Sequence, residues 1–380
     1  MARIRSATLL IVLLLVTACS NLSETPVTTV DPLFGAKTPG AETVRHLAVS
    51  EEGIFIGGLW NGREALVKFS RKGTIPWTKR LPQEAEVKEV TAGPEGSVYV
   101  VYVKTYAPFG GPYTQRDIIL GRYDRTGALI WERTLAADLG RWVSATAAAD
   151  KNGTLYVSMP RSRELRSYRP DGSLVWRKLI DEAILDLDVS ANGFIHTVSE
   201  IEEVSAAIFY RLTRYKPNGI PLWSVPLPYT DDPQRVAVGR ENEIYVATNK
   251  EEYPHEWYTT LTKYNSRGAR VWTRDVQDAI GLRLDGLDAD AQGNAFIALT
   301  NPDWGADEKP SRFKEFYTYS PSGQRLVYKR FDLGSEAPLV GPAALSPTEV
   351  YLATSGVGAE GKDGLLVRLE GLTGRVTWQR

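Results

Sequence analysis

The chain has 380 residues, a length that would suggest two or three domains unless an internal repeat says otherwise. Its 45 Lys and Arg are balanced by 46 Asp and Glu, so there is no basic excess to neutralise a phosphate backbone, which argues against nucleic acid as a partner. Ten Trp and eighteen Tyr, beside two Met and three His, suit β-sheet packing or a carbohydrate-like binding surface.

Residues 1–18 have the form of a signal peptide. Arg3 and Arg5 supply a positive start, and Leu9 to Val16 is an unbroken apolar run too short for a stable membrane span. The run meets Val16-Thr17-Ala18-Cys19, which resembles the lipobox of bacterial lipoproteins. The resemblance implies that Cys19 becomes the diacylated first residue of the mature chain and anchors it in the cell envelope. Ser20 in the following position implies the outer membrane in a Gram-negative host. Two acyl chains anchor stably where one is marginal. Cys19 is the only Cys, so no intramolecular disulfide forms and no second thiol remains for catalysis or metal binding. Residues 19–42, rich in Ser, Thr, Pro and Gly, read as the lipidated Cys and a flexible tether, and Val27–Val30 could add to a sheet edge.

From residue 43 to 380 one unit recurs seven times. Its second half is plainest in LVKFSRKGTIPW (66–77), LGRYDRTGALIW (120–131), LRSYRPDGSLVW (165–176), LTRYKPNGIPLW (212–223) and LTKYNSRGARVW (261–272). Two divergent copies end at Tyr328 and Trp378. The terminal aromatics Trp77, Trp131, Trp176, Trp223, Trp272, Tyr328 and Trp378 recur about every fifty residues, the period of propeller blades. Each copy reads as a hairpin whose Gly-containing turn allows positive φ. The first half is a second hairpin, as in HLAVSEEGIFIGG (46–58) and DLDVSANGFIHTVS (186–199). Two hairpins make strands A, B, C and D. Seven such units predict an all-β chain, a seven-bladed β-propeller of four-stranded antiparallel blades that closes without borrowing a strand. Strand A carries two apolar columns on one face, as blade packing requires, with a small column between them; this makes it innermost.

The repeat resembles the PQQ-like propeller repeat, in which Ala-x-Asp-x-x-Thr-Gly-x-x-x-Trp recurs and the Trp docks between blades. Asp124, Thr126, Gly127 and Trp131 fit that motif, and Thr373, Gly374 and Trp378 fit its second half; most other copies keep the Gly and the Trp. Related bacterial repeats of the SBBP kind share the pattern. The chain is also similar in type to the propeller lipoprotein of the outer-membrane barrel-assembly machine, although that family is typically eight-bladed. The resemblance implies a fold, and no chemistry by itself.

Two places could carry function. The loops joining strands B and C are long, emerge on one rim, and hold Tyr106, Phe109, Tyr113, Tyr253, His255, Trp257 and Trp304. These rings either form a partner-binding face or fold back over the blade edges. The second place is the axial channel, where one column of strand A places His46, Glu89, Asp186 and Arg235 at one level. They are either a ligand site or mutually paired mouth residues. The Asp288-Ala289-Asp290-Ala291-Gln292-Gly293 run starts like a calcium loop but lacks the distal Glu and reads as a turn. No triad, phosphate loop or metal spacing stands out, so neither a metal nor a cofactor is expected. The expectation is a monomeric, non-catalytic envelope module for a protein or polysaccharide partner. A PQQ-dependent or sugar-acting enzyme is the alternative.

Overall fold

Strand B is a deeply buried element of the repeat because it is covered on both faces. In a computed structural model Leu155–Met159, Ala295–Thr300 and Glu349–Thr354 are buried at every position. The structure describes residues 28–29, 37–38, 41–106, 115–139, 144–202, 208–228, 231–240, 243–252, 256–276, 283–300, 313–332, 339–355 and 364–379. Among them are seven blades of four antiparallel strands and no α-helix. The protein is a seven-bladed β-propeller.

Each blade is a meander of consecutive strands A to D. Blade 1 comprises Ala41–Ser50, Gly53–Trp60, Arg63–Phe69 and Trp77–Arg80. Blade 2 comprises Ala85–Ala92, Val98–Tyr106, Gln115–Tyr123 and Leu129–Leu139. Blade 3 is Thr146–Ala149, Leu155–Met159, Glu164–Tyr168 and Leu174–Leu179, and blade 4 is Ala183–Val189, Ile195–Glu202, Ile208–Tyr215 and Pro221–Leu227. Blade 5 is Asp231–Val238, Ile244–Glu252, Glu256–Tyr264 and Arg270–Asp275, and blade 6 is Arg283–Ala289, Ala295–Thr300, Phe313–Tyr319 and Arg325–Asp332. Blade 7 ends the ring with Leu339–Ser346, Glu349–Thr354, Gly364–Glu370 and Arg375–Gln379.

The core lies between blades. One cluster joins Phe55 and Leu66 of blade 1 to Val87, Val98, Val100 and Tyr102 of blade 2. Another joins Ile54, Ile56 and Val67 of blade 1 to Tyr351, Ala353 and Leu366 of blade 7, so the first and last blades share a core like any other pair. Burying each such side chain contributes roughly 1.5–3 kcal/mol.

The repeating Gly and Trp are two halves of one contact. Trp131 Nε1 donates to the Pro170 carbonyl at 2.7 Å, in the C–D turn of the next blade. Trp77, Trp176, Trp223 and Trp272 donate likewise to the carbonyls of Arg125, Pro217, Ser266 and Pro321. Gly172, in the turn above Trp131, has φ +82°, and a Cβ there would sit 2.7 Å from the indole. The turn therefore needs glycine twice, for its left-handed backbone and for the ring beneath it. Blade 6 keeps this spacing but places a valine, not an aromatic residue, at the docking position. Val327, four residues after Gly323, pairs with Thr318 and packs towards blade 7, where a Cβ on Gly374 would meet it. Tyr328 points the other way, with its ring 5.1 Å from Tyr317, so it does not occupy the place of the tryptophans. Trp378 holds the equivalent strand position in blade 7, opposite Arg368.

Two stretches of the expected tether join the ring. Thr28–Thr29 runs parallel to the outer strand of blade 6, with Thr28 opposite Phe331 and Thr29 opposite Asp332. Lys37–Thr38 pairs antiparallel with Leu365 and Gly364 of blade 7. At the seam between blades 7 and 1, Arg71 makes two hydrogen bonds to Glu349, one of 2.7 Å, and Ser355 Oγ accepts the Val44 N–H at 3.0 Å.

Candidate functional site

The seven innermost strands enclose an axial cavity of about 880 Å³ to which every blade contributes. In six of the seven the A–B ladder slips by one residue at the same level, between Val44 and His46, Val87 and Glu89, Ile184 and Asp186, Pro233 and Arg235, Leu284 and Gly286, and Val340 and Ala343. A β-bulge kinks its strand and re-aims side chains. Consecutive residues consequently line the cavity, as with Arg45 and His46, or Lys88 and Glu89.

His46, Glu89, Asp186 and Arg235 all reach this cavity. His46 Nδ1 lies 3.4 Å from Glu89 Oε1, which also accepts the Val90 N–H at 3.0 Å. Asp186 Oδ2 accepts the Val236 N–H of the next blade at 2.9 Å. Burial raises the Asp186 carboxyl to about 7; Arg235 and that N–H hold it down, while Glu89 and Asp188 push it further up. The wall between blades 1 and 2 carries a run of ion pairs. Lys88 Nζ is 2.7 Å from Glu86 Oε1, and Arg45 bridges Glu86 at 3.8 Å and Glu64 at 3.0 Å.

A second feature is missing from the sequence-based expectations. Asp188 Oδ2 accepts the Val238 N–H at 2.7 Å, and Asp288 Oδ2 accepts the Ala344 N–H at 2.7 Å. Asp285 accepts the Leu339 N–H at 3.3 Å and the Thr300 hydroxyl. These carboxylates bind the otherwise unpaired edge of the neighbouring innermost strand, so they join blades across the channel wall. Burial raises Asp188 and Asp285 to about 6 and Asp288 to about 7. For Asp188 and Asp288 the signal was present in sequence as Asp standing in a column otherwise held by Ala and Thr, whereas Asp285 lies outside that column. The calcium-like run is a turn, since Asp290 Oδ1 accepts the N–H groups of Gln292 and Asn294 at 2.9 and 2.8 Å.

The two rims differ. Six C–D turns share one five-residue pattern closed by the same backbone bond, as in Asp124 N to Ala128 O at 2.9 Å and Arg169 N to Ser173 O at 2.9 Å. The B–C hairpins on the opposite rim are unequal. Strands B and C have nine residues each in blades 2 and 5 but five each in blade 3. Four extra residues lengthen a strand by about 13 Å. Tyr106 ends strand B of blade 2, half-buried, with its hydroxyl 3.2 Å from Asp117 Oδ1. Trp257 lies in strand C of blade 5 opposite Glu251. Phe109, Tyr113, Tyr253, His255 and Trp304 lie outside the described residues, as does Cys19.

No family model and no curated protein matches the chain. Solved structures do. A catalytically inactive virginiamycin B lyase from Staphylococcus aureus with quinupristin superposes with a TM-score of 0.52 at 12% identity, over 87% of this chain and 96% of that one. YCF48 bound to D1 peptide gives 0.52 at 12% identity, over 88% and 93%. The tricorn protease gives 0.54 at 13% identity, over 89% of this chain and 34% of that one. At these identities the likeness is one of fold.

Proposed function

We propose that the chain is a lipid-anchored envelope protein that acts as a non-catalytic binding module, presenting the rim of B–C hairpins to a protein or polymer partner. The observation that carries this reading is the contrast between rims. Uniform turns close one face, while hairpins of unequal length project from the other and give it an individual shape. Asp186, Asp188, Asp285 and Asp288 in the channel support the non-catalytic part, because each accepts a backbone N–H of the next blade. The Val16-Thr17-Ala18-Cys19 run supports the anchor. One structurally similar propeller was solved with a bound peptide, which suits a binding role for the fold.

The test is capture of a partner from an envelope extract, with Trp257→Ala and Trp304→Ala together as the variant. The expected result is a partner retained by the parent chain and lost by the variant. Equal recovery by both, from variants with unchanged circular dichroism, refutes the hairpin rim as the binding face.

A further inference from the structure

The parallel pairing of Thr28–Thr29 gives the chain a direction. Thr28 lies opposite Phe331 and Thr29 opposite Asp332, at the end of an outer strand that starts beside its C–D turn at Arg325. Because the strands are parallel, Thr28–Thr29 runs in the direction that leads away from the C–D turns. Cys19 is nine residues upstream, a reach of at most about 30 Å, and the outer strand from Arg325 to Phe331 spans about 20 Å. The segment before Thr28 is long enough to pass the turn rim.

That rim has the chemistry of a membrane interface. Ile75, Leu129 and Leu174 follow their turn glycines by two residues in blades 1 to 3, and they are 38%, 47% and 50% exposed. Lys72, Lys216 and Arg267 stand exposed in the turns of blades 1, 4 and 5. The seven outer strands below them hold eleven Lys and Arg against four Asp and Glu, in a chain whose net charge is −1. The C–D turns also hold Asp124, Asp171 and Glu370 beside their more numerous cations, while the acidic Glu51, Glu52, Glu95 and Asp150 sit on A–B turns, nearer the axis. Aliphatic side chains interleaved with cations fit the headgroup region of an anionic bilayer.

We infer that the outer rim of C–D turns docks on an anionic lipid surface, which points the B–C hairpins away from the membrane. This deepens the lipid-anchor reading and rests on it for the position of Cys19. The rim's own affinity is separable from the anchor in a chain that starts at Ser20, which keeps every described residue and carries no acyl group. It should float with phosphatidylcholine vesicles containing phosphatidylglycerol, fail to float with phosphatidylcholine alone, and be released by salt. Lys72→Glu, Lys216→Glu and Arg267→Glu together should reduce partitioning by at least about fivefold per cation removed. Lys104→Glu, on the hairpin rim, should leave it unchanged. An environment-sensitive dye on Lys216→Cys should shift to the blue on vesicles, and the same dye on Lys104→Cys should not. Equal binding to neutral vesicles, no effect of the triple reversal, or a shift at Lys104→Cys alone overturns the inference. So does a shift at Lys216→Cys seen only when an envelope protein is added, since the occupant is then a protein. The mass of the chain recovered from envelopes tests the anchor separately: an unacylated Cys19 with vesicle binding intact defeats the anchor reading and leaves the docking face standing.

Discussion

His196 stands where other blades place an aromatic ring. Phe55, Tyr99, Tyr156 and Tyr245 each pack against the Trp of their own blade at 6.0–6.2 Å, and Tyr99 and Tyr245 also donate to turn carbonyls of the next blade. His196 is fully buried, and neither ring nitrogen makes a well-formed hydrogen bond among the described residues, the Phe194 backbone giving only a weak one. Burial, with the charge of Arg214 behind it, lowers its pKa to about 3. An unpartnered buried polar group costs about 1–3 kcal/mol, so His196→Phe should raise the midpoint of thermal unfolding at pH 7. A depressed folded-state pKa means stability that is present above the unfolded value near 6.5 and lost as pH falls towards 3. The Phe variant should therefore also resist acid better than the parent, as read by urea midpoints between pH 6.5 and 3.5. The innermost aspartates act with the opposite sign. Asp188 and Asp288 have folded values raised from 3.8 to about 6 and about 7, so their contribution is full below pH 3.8 and is lost as pH rises to about 7. Asn at both positions keeps an acceptor for Val238 and Ala344 without the charge. The double variant should flatten the downward slope between pH 4 and 7, with Asp186 and Asp285 keeping the remainder, and be more stable than the parent at pH 8 by about 1–3 kcal/mol after allowance for water in the channel. An unchanged slope would place the effect elsewhere.

Strands and turns interlock through Trp and Gly, and that interlock is why the fold could be read from sequence. A contact that needs one residue for its backbone and another for its ring leaves two regular marks in every unit. Where the contact changes, the marks mislead. Tyr328 stands beside Val327 and keeps the aromatic character of the mark, whereas the four-residue spacing from Gly323 and the ladder register both put Val327 at the docking position. The bulges of the innermost strands leave no mark, because one extra residue changes neither composition nor alternation enough to be seen. The column of His46, Glu89, Asp186 and Arg235 was legible because the A–B turns fix its register, whereas Asp188 and Asp288, which also join strand edges, were hidden in a column otherwise small. The Trp–Gly contact makes a quantitative prediction. Trp131→Ala should cost about 3–5 kcal/mol, and Gly172→Ala about 1–3 kcal/mol from its left-handed backbone and the clash with the indole. The two should couple, since the alanine methyl at 172 has room once the ring is gone. A double-mutant cycle by urea unfolding should show the Gly172→Ala penalty reduced in the Trp131→Ala background, while strict additivity would mean that the backbone alone sets the glycine requirement.

A closed ring gives every blade two neighbours, and its seams differ in how the chain crosses them. Six adjacent pairs are joined by a D–A connection. Blades 7 and 1 meet without one. Their seam rests on the shared apolar cluster, the Arg71–Glu349 ion pair, the Ser355 contact to Val44 and the Lys37–Thr38 strand laid on blade 7. Arg71 is about half exposed, and the buried Glu349 it meets is also held by Arg368 at 3.3 Å and by the Tyr351 hydroxyl, so Arg71 itself adds little beyond orientation. The apolar cluster must supply most of the closure. Leu366 is fully buried there, and Leu366→Ala should cost about 2–5 kcal/mol. The same loss at an ordinary seam leaves the blades covalently joined, whereas at this seam it allows the ends to separate first. Amide exchange in Leu339–Ser346 and Ala41–Ser50 should then accelerate in Leu366→Ala well before exchange in Ala183–Val189, across the ring, follows. Leu212→Ala in blade 4, equally buried, is the control and should accelerate exchange without singling out the strands at the seam. If both variants speed all three strands alike, the ring opens as one unit and the seam has no special standing.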